Sequence, residues 1–229
     1  MNFLHASVYF TVMVSLGTYL FGVFLSRKLK SPLINPLLIS VVLTIIVLAI
    51  IKVSFQEFKE HTQVFSFFLT PATICLAVPL YEQLTLLKKQ WQAVFFGILA
   101  GVIVSVGSIF LLSKVFSLDP AAFASLLPKS VTNAIAMDLS AEMGGYPSVT
   151  ASAVMFTGMM GNIFGPLLCK LFRIVHPVAV GVSMGTCSHA IGTARAMELG
   201  DIEGAMSSLS IAVAGLITVV FASFAVSLY

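Results

Sequence analysis

Charge is absent from whole bilayer-length windows of this chain. Residues 6–25, 33–51, 92–113, 148–169 and 205–228 contain no Asp, Glu, Lys or Arg. A helix of about 20 residues reaches ~30 Å, the thickness of a bilayer's hydrocarbon core, and inside that core only helices and closed barrels satisfy their backbone. Twelve Lys and Arg with nine Asp and Glu in 229 residues make the chain 9% charged and 59% hydrophobic. Soluble domains carry roughly a quarter charged residues. These windows therefore predict an all-α polytopic membrane protein. The first window is long enough to span and has no A-x-A-like site after it, so it reads as a retained helix and not a cleaved leader.

The net charge of +3 sits mostly in short clusters at the ends of the apolar windows, which is no nucleic-acid footprint. Cys75, Cys169 and Cys187 are scattered, with no C-x-x-C or Cys/His metal spacing, so neither a disulfide framework, a metal nor a cofactor is expected.

Three further apolar stretches are interrupted. Residues 64–81 contain Thr70-Pro71-Ala72-Thr73 and then Pro79; 121–143 are divided by Pro128-Lys129; and 177–197 contain Gly185-Thr186-Cys187-Ser188-His189 and Gly192-Thr193. The total is about seven to eight membrane segments. A shift of 115 residues lays 33–51 on 148–166, 70–80 on 185–195, and 92–113 on 207–228. The order predicts two repeats, about 1–115 and 116–229, each with one broken helix, within a single transmembrane domain. Arg27 to Lys30, Lys88-Lys89 and Lys170 to Arg173 are expected to face the cytoplasm. That parity requires 121–143 to return to the side it came from as a re-entrant hairpin with Pro128-Lys129 near its tip. The repeats are then inverted copies.

Backbone that leaves the helical ladder in a bilayer survives only where it is buried in protein or lines a polar cavity. The interruptions therefore mark the candidate site. Lys129, Ser130, Thr132 and Asn133 form the most polar run within an apolar segment; Thr73, Ser188, His189, Thr193 and Arg195 add hydroxyls, an imidazole and a guanidinium. Together with half-helix amides they make a predicted binding site for a small organic anion. His189 is a candidate carrier of a coupling proton.

Each residue also has a plainer reading. Thr70-Pro71 is equally a packing kink, Lys129 a snorkelling interfacial cation, His189 a core histidine donating to a backbone carbonyl. Arg195 stands three residues from Glu198, on the same helical face. Asp138 and Glu142 read as a solvated hairpin leg in preference to a proton relay. Gly97/Gly101, Gly161/Gly165 and Gly181/Gly185 have the spacing that lets helices approach closely, in compact packing or in a homodimer. Gly181-Val182-Ser183-Met184-Gly185 matches the G-x-S-x-G string with His189 six residues on, but that motif needs a strand-turn-helix context. The chain is not expected to be an enzyme.

The strings Pro128-Lys129-Ser130-Val131-Thr132 and Ser188-His189-Ala190-Ile191-Gly192-Thr193-Ala194-Arg195 resemble the signature of the CidB/LrgB family. So do Gly144-Gly145, Ser31 to Leu38, Pro79 to Gln83 and Glu203 to Leu209, so the likeness covers nearly the whole chain. Asn133 stands where that family usually has proline, and Cys187 where it usually has alanine. The resemblance implies one of two functions in the bacterial cytoplasmic membrane. One is a holin/antiholin-like protein modulating murein hydrolase export and autolysis, with a small membrane partner of the CidA/LrgA type. The other is carriage of glycolate, glycerate, lactate or pyruvate, as in the plastid relatives. Many spans, broken helices and an interior lysine favour the second: a secondary transporter of small monocarboxylates working by alternating access.

Overall fold

The computed structural model describes residues 7–29, 36–75 and 77–229, without the side chains of Phe55, Ser66, Leu69, Thr70, Ala72, Thr73, Pro79 and Leu80. All regular structure among them is helical. The chain forms two compact units, Met1–Cys75 and Leu76–Tyr229.

In the first unit, α1 (Val8–Leu29) packs on α2 (Pro36–Ile51), followed by α3 (Phe55–His61) and α4 (Gln63–Cys75). Lipid tails are as apolar as Leu, so helices in a bilayer associate through close packing and polar contacts. Here the polar contact is Thr18. Its hydroxyl donates to the Val14 carbonyl (2.9 Å) and lies 3.1 Å from Ser40 Oγ and 3.0 Å from Thr44 Oγ1 on α2. The polar stretch after α2 becomes α3, opened by a capping box between Ser54 and Glu57. The expected break at Thr70-Pro71 is absent: α4 runs through Pro71 to Cys75. Proline removes one amide donor, and losing that one bond does not end the helix here.

In the second unit, α5 (Ala77–Glu82) leads into α6 (Leu84–Val115), which kinks at Gln90 (φ −118°, ψ 17°) directly after Lys88-Lys89. Past the kink, Val94, Ile98, Val102, Val106, Ile109 and Ser113 make one buried stripe at helical spacing. Then come α7 (Pro120–Leu126), α8 (Asn133–Glu142), α9 (Pro147–Leu171), α10 (Pro177–Leu199) and α11 (Asp201–Ser227). Among the described residues, α1, α6, α9 and α11 are long and apolar enough to cross a membrane; α2, with 16 residues, is shorter.

Helix α10 is the hub of this unit, packed against α11, α9 and α6. All three wide glycine pairs serve it. Gly101 of α6 would place a Cβ 2.7 Å from Thr186, and Gly97 one 3.4 Å from Val182. Gly161 and Gly165 of α9 face Ser188 and Met184, while Gly181 and Gly185 let α10 approach the backbone of Glu203 and Ser207 on α11. The glycine spacings are thus used within one chain, and the homodimer draws no support from them.

Helices α7 and α8 are ~10 and ~15 Å long, each too short for a ~30 Å core. Asp119 caps α7 by accepting from the Ala122 amide (3.1 Å), with Pro120 in the first turn. The chain turns through Leu127–Val131, with Pro128-Lys129 within that turn. Gly144 then adopts a left-handed φ of 78°, and Ser125 Oγ accepts from the Tyr146 amide at 2.6 Å, tying α7 to the start of α9.

Candidate functional site

The α7–α8 turn projects its polar side chains onto the middle of α6. Lys129 Nζ donates to Ser130 Oγ at 3.2 Å, and Ser130 Oγ lies 3.0 Å from Ser105 Oγ. Ser130 is buried and Lys129 half-buried. An ammonium has three donors, and no carboxylate stands within 4.0 Å of this one among the described residues.

Lys129 borders a cleft of about 880 Å³ between α6, the α7–α8 turn, α9 and α10, at the upper end of the range for ligand pockets. Ser105, Ser130, Cys187 and Ser188 complete its polar end, while Phe156, Met160, Phe164 and Leu168 of α9, with Phe172 at its C-cap, form an apolar wall. The floor depends on Gly161. Any side chain there would occupy the place of Ser188, so the close α9–α10 contact exists only with glycine.

Of the residues singled out in the sequence, Lys129, Ser130 and Ser188 line this cleft together. Thr132, Asn133, His189, Thr193 and Arg195 are not among its lining residues. Thr132 occupies the N-cap position of α8 without a side-chain cap, and Asn133 is exposed. Arg195 is ion-paired with Glu198, its neighbour on the same helical face. The side chain of Thr73 lies outside the described residues.

His189 is buried, and its Nε2–H donates to the Val154 carbonyl of α9 at 3.0 Å. Its backbone (φ 43°, ψ −139°) interrupts α10, so the expected helix break falls on this residue. Thr193 Oγ1 donates to the His189 carbonyl at 3.0 Å, so the Ser207 hydroxyl, 2.7 Å away, is the donor to Thr193. Asn162 Nδ2 donates to the Ile191 carbonyl at 2.9 Å. Side chains thus serve polar backbone beside the break, as a bilayer demands. The imidazole's bond to Val154 is the contact that the plainer of its two readings expects.

Ser183 of the G-x-S-x-G string lies inside helical α10 and donates to the Val180 carbonyl at 2.9 Å. No hydrogen bond joins it to His189. Asp138 and Glu142 are exposed and in no ion pair among the described residues. Ser105 is a polar cleft residue that sequence reasoning passed over, and Cys187 stands in the 177–197 interruption without being expected at the site. Ser105 sits in a charge-free apolar window beside Ser108 and Ser113, and nothing in the sequence sets it apart from them. Cys187 lies between Thr186 and Ser188, and only helical phase puts it in the cleft.

The description "LrgB-like family" matches residues 15–228 of the chain. The chain is 40% identical over 213 residues to the antiholin-like protein LrgB of Bacillus cereus strain B4264, covering 93% of each. The antiholin-like protein LrgB of Bacillus anthracis strain CDC 684 / NRRL 3495 gives the same identity and coverage. No solved structure matches. These relatives overturn the expectation of a monocarboxylate carrier. The residues meant to surround its substrate also divide, since His189, Thr193 and Arg195 are bonded elsewhere and do not line the cleft.

Proposed function

Because the chain belongs to the LrgB-like family, we propose that it is an antiholin-like protein of the bacterial cytoplasmic membrane that modulates murein hydrolase export and autolysis. The observation that carries this reading is the 40% identity to proteins of that description over 93% of both chains. The chain is a multi-pass membrane protein. A small membrane protein of the LrgA type is the partner through which it acts.

The finer architecture belongs with this proposal: about seven to eight membrane segments, a re-entrant hairpin at 121–143, and inverted halves at about 1–115 and 116–229 in one domain. The shortness of α7 and α8 supports the hairpin, and the interruption of α10 at His189 supplies the broken helix of the second half, whereas α4, continuous through Pro71, supplies no counterpart at that position in the first. A homodimer, if formed, uses a surface other than the three glycine pairs.

The test is deletion of the chain's gene in its own bacterium, with zymography of extracellular murein hydrolases and detergent-induced lysis as readouts. Raised hydrolase activity and faster lysis, both reversed by the plasmid-borne gene, are the expected results. Unchanged zymograms and lysis curves in the deletion strain overturn the reading.

A further inference from the structure

Two features of the cleft have no part in the antiholin-like reading. One is the positive charge of Lys129, without a carboxylate beside it among the described residues. The other is the wall of α9. Phe156, Met160, Phe164, Leu168 and Phe172 recur every four residues, each beside the next, in a ridge that winds gradually around α9 to its C-cap and borders the cleft throughout. Phe156, Leu168 and Phe172 are exposed at 60%, 49% and 69%. From Phe156 to Phe172 the stripe runs about 24 Å, most of a hydrocarbon core.

The depth of the charge decides what fits. The cleft's polar end is level with Gly161, which faces Ser188 and stands near the middle of α9, one of the candidate spans. An interior ammonium at that depth is costly unless an opposite charge meets it. A phospholipid carries its charge at the bilayer surface. A small hydrophilic anion gains nothing from a wall of phenylalanines. A helix can place a carboxylate at any depth while laying an apolar face along the stripe.

We propose that the cleft seats a transmembrane helix of a second membrane protein, with a mid-span carboxylate paired to Lys129 and its apolar face along Phe156–Phe172. The helix would occupy the groove beside Ser188 and cover Cys187, which is exposed at the cleft's polar end. The inference rests on the antiholin-like reading for the protein that supplies the helix.

Cys187 makes the test direct. The full chain with Cys75→Ala and Cys169→Ala, leaving Cys187 as its one thiol, is co-reconstituted with the LrgA-type protein of the same genome, and a membrane-permeant maleimide is added. At a partner level about ten times its dissociation constant, mass action leaves roughly one cleft in ten open, so labelling slows about tenfold. Lys129→Gln restores the rate seen without partner, Lys129→Arg keeps the protection, and amidation of the partner's mid-span Asp or Glu abolishes it. Lys129→Gln must label at the parental rate when alone, which shows that its cleft is intact; if it does not, the partner's amidated variants carry the same comparison.

Equal labelling with and without the partner overturns the proposal, as does protection that survives both Lys129→Gln and the partner's amidation. Protection that grows with the concentration of this chain alone assigns the groove to a second copy, and protection by phosphatidylglycerol alone assigns it to lipid; either result also overturns it. Zymography separates the two readings, because unchanged labelling in a strain whose hydrolase release still depends on the protein sinks the docking and leaves the function.

Discussion

His189 Nε2 donates to the Val154 carbonyl across the α9–α10 contact at 3.0 Å, from a residue whose own backbone is left-handed. The bond and the break are one feature. A non-glycine residue at φ 43° and ψ −139° costs on the order of 1–3 kcal/mol, and the imidazole bond helps hold it there.

Removing the imidazole while keeping a Cβ leaves the strain and loses the bond. His189→Ala is therefore expected to destabilise the detergent-solubilised protein more than His189→Gly, by about 1 kcal/mol, since glycine relaxes the backbone. Thermal unfolding of the two variants beside wild type checks the order. A glycine variant less stable than the alanine one would show that the left-handed residue is unstrained.

Gly161 and Ser188 form a pair in which only one member can carry a side chain. Gly161→Ala is expected to cost about 1–3 kcal/mol by forcing α9 from α10, an overpacking penalty. Ser188→Gly in the same chain makes room and recovers most of that loss, so the two changes are non-additive. Unfolding of both single variants and the double variant measures the coupling; simple additivity would mean that the helices shift apart without resistance.

The sequence showed what depends on composition along the chain, and hid what depends on helical phase. Charge-free windows located α1, α6, α9 and α11. The spacing of Arg195 and Glu198 disclosed their ion pair, because three residues on a helix share a face. Pro128-Lys129 announced the turn between two short helices. Phase was not legible. Ser188 and His189 are adjacent in sequence, yet one lines the cleft while the other, at the break, turns to Val154. Pro71 illustrates the opposite failure, since a helix-breaking residue sits inside a helix that continues.

Tyr229 offers a test at the other end of α6. Its ring stacks on Phe123 at 4.1 Å with the planes 16° apart, and Lys114 Nζ lies 4.2 Å from the ring centroid. Its hydroxyl donates to the Leu118 carbonyl at 2.7 Å, in the link between α6 and α7. Tyr229→Phe, which keeps the stack, is expected to cost about 1 kcal/mol, and Tyr229→Ala about 3 kcal/mol. Equal losses in thermal unfolding would assign the whole contribution to the hydroxyl.

Asp119 opens α7 and Glu142 closes α8, and the hairpin reading puts both on one side of the membrane. In a chain lacking its three native cysteines, Asp119→Cys and Glu142→Cys are expected to react with an impermeant maleimide added outside intact cells. Arg173→Cys, beyond the far end of α9, is expected to react only after the cells are opened. The ~10 and ~15 Å helices support this pattern, because neither reaches across the core alone. Labelling of Asp119→Cys and Glu142→Cys from opposite faces would mean that the segment crosses. The positive clusters flanking α6 and α9 would then no longer share one side.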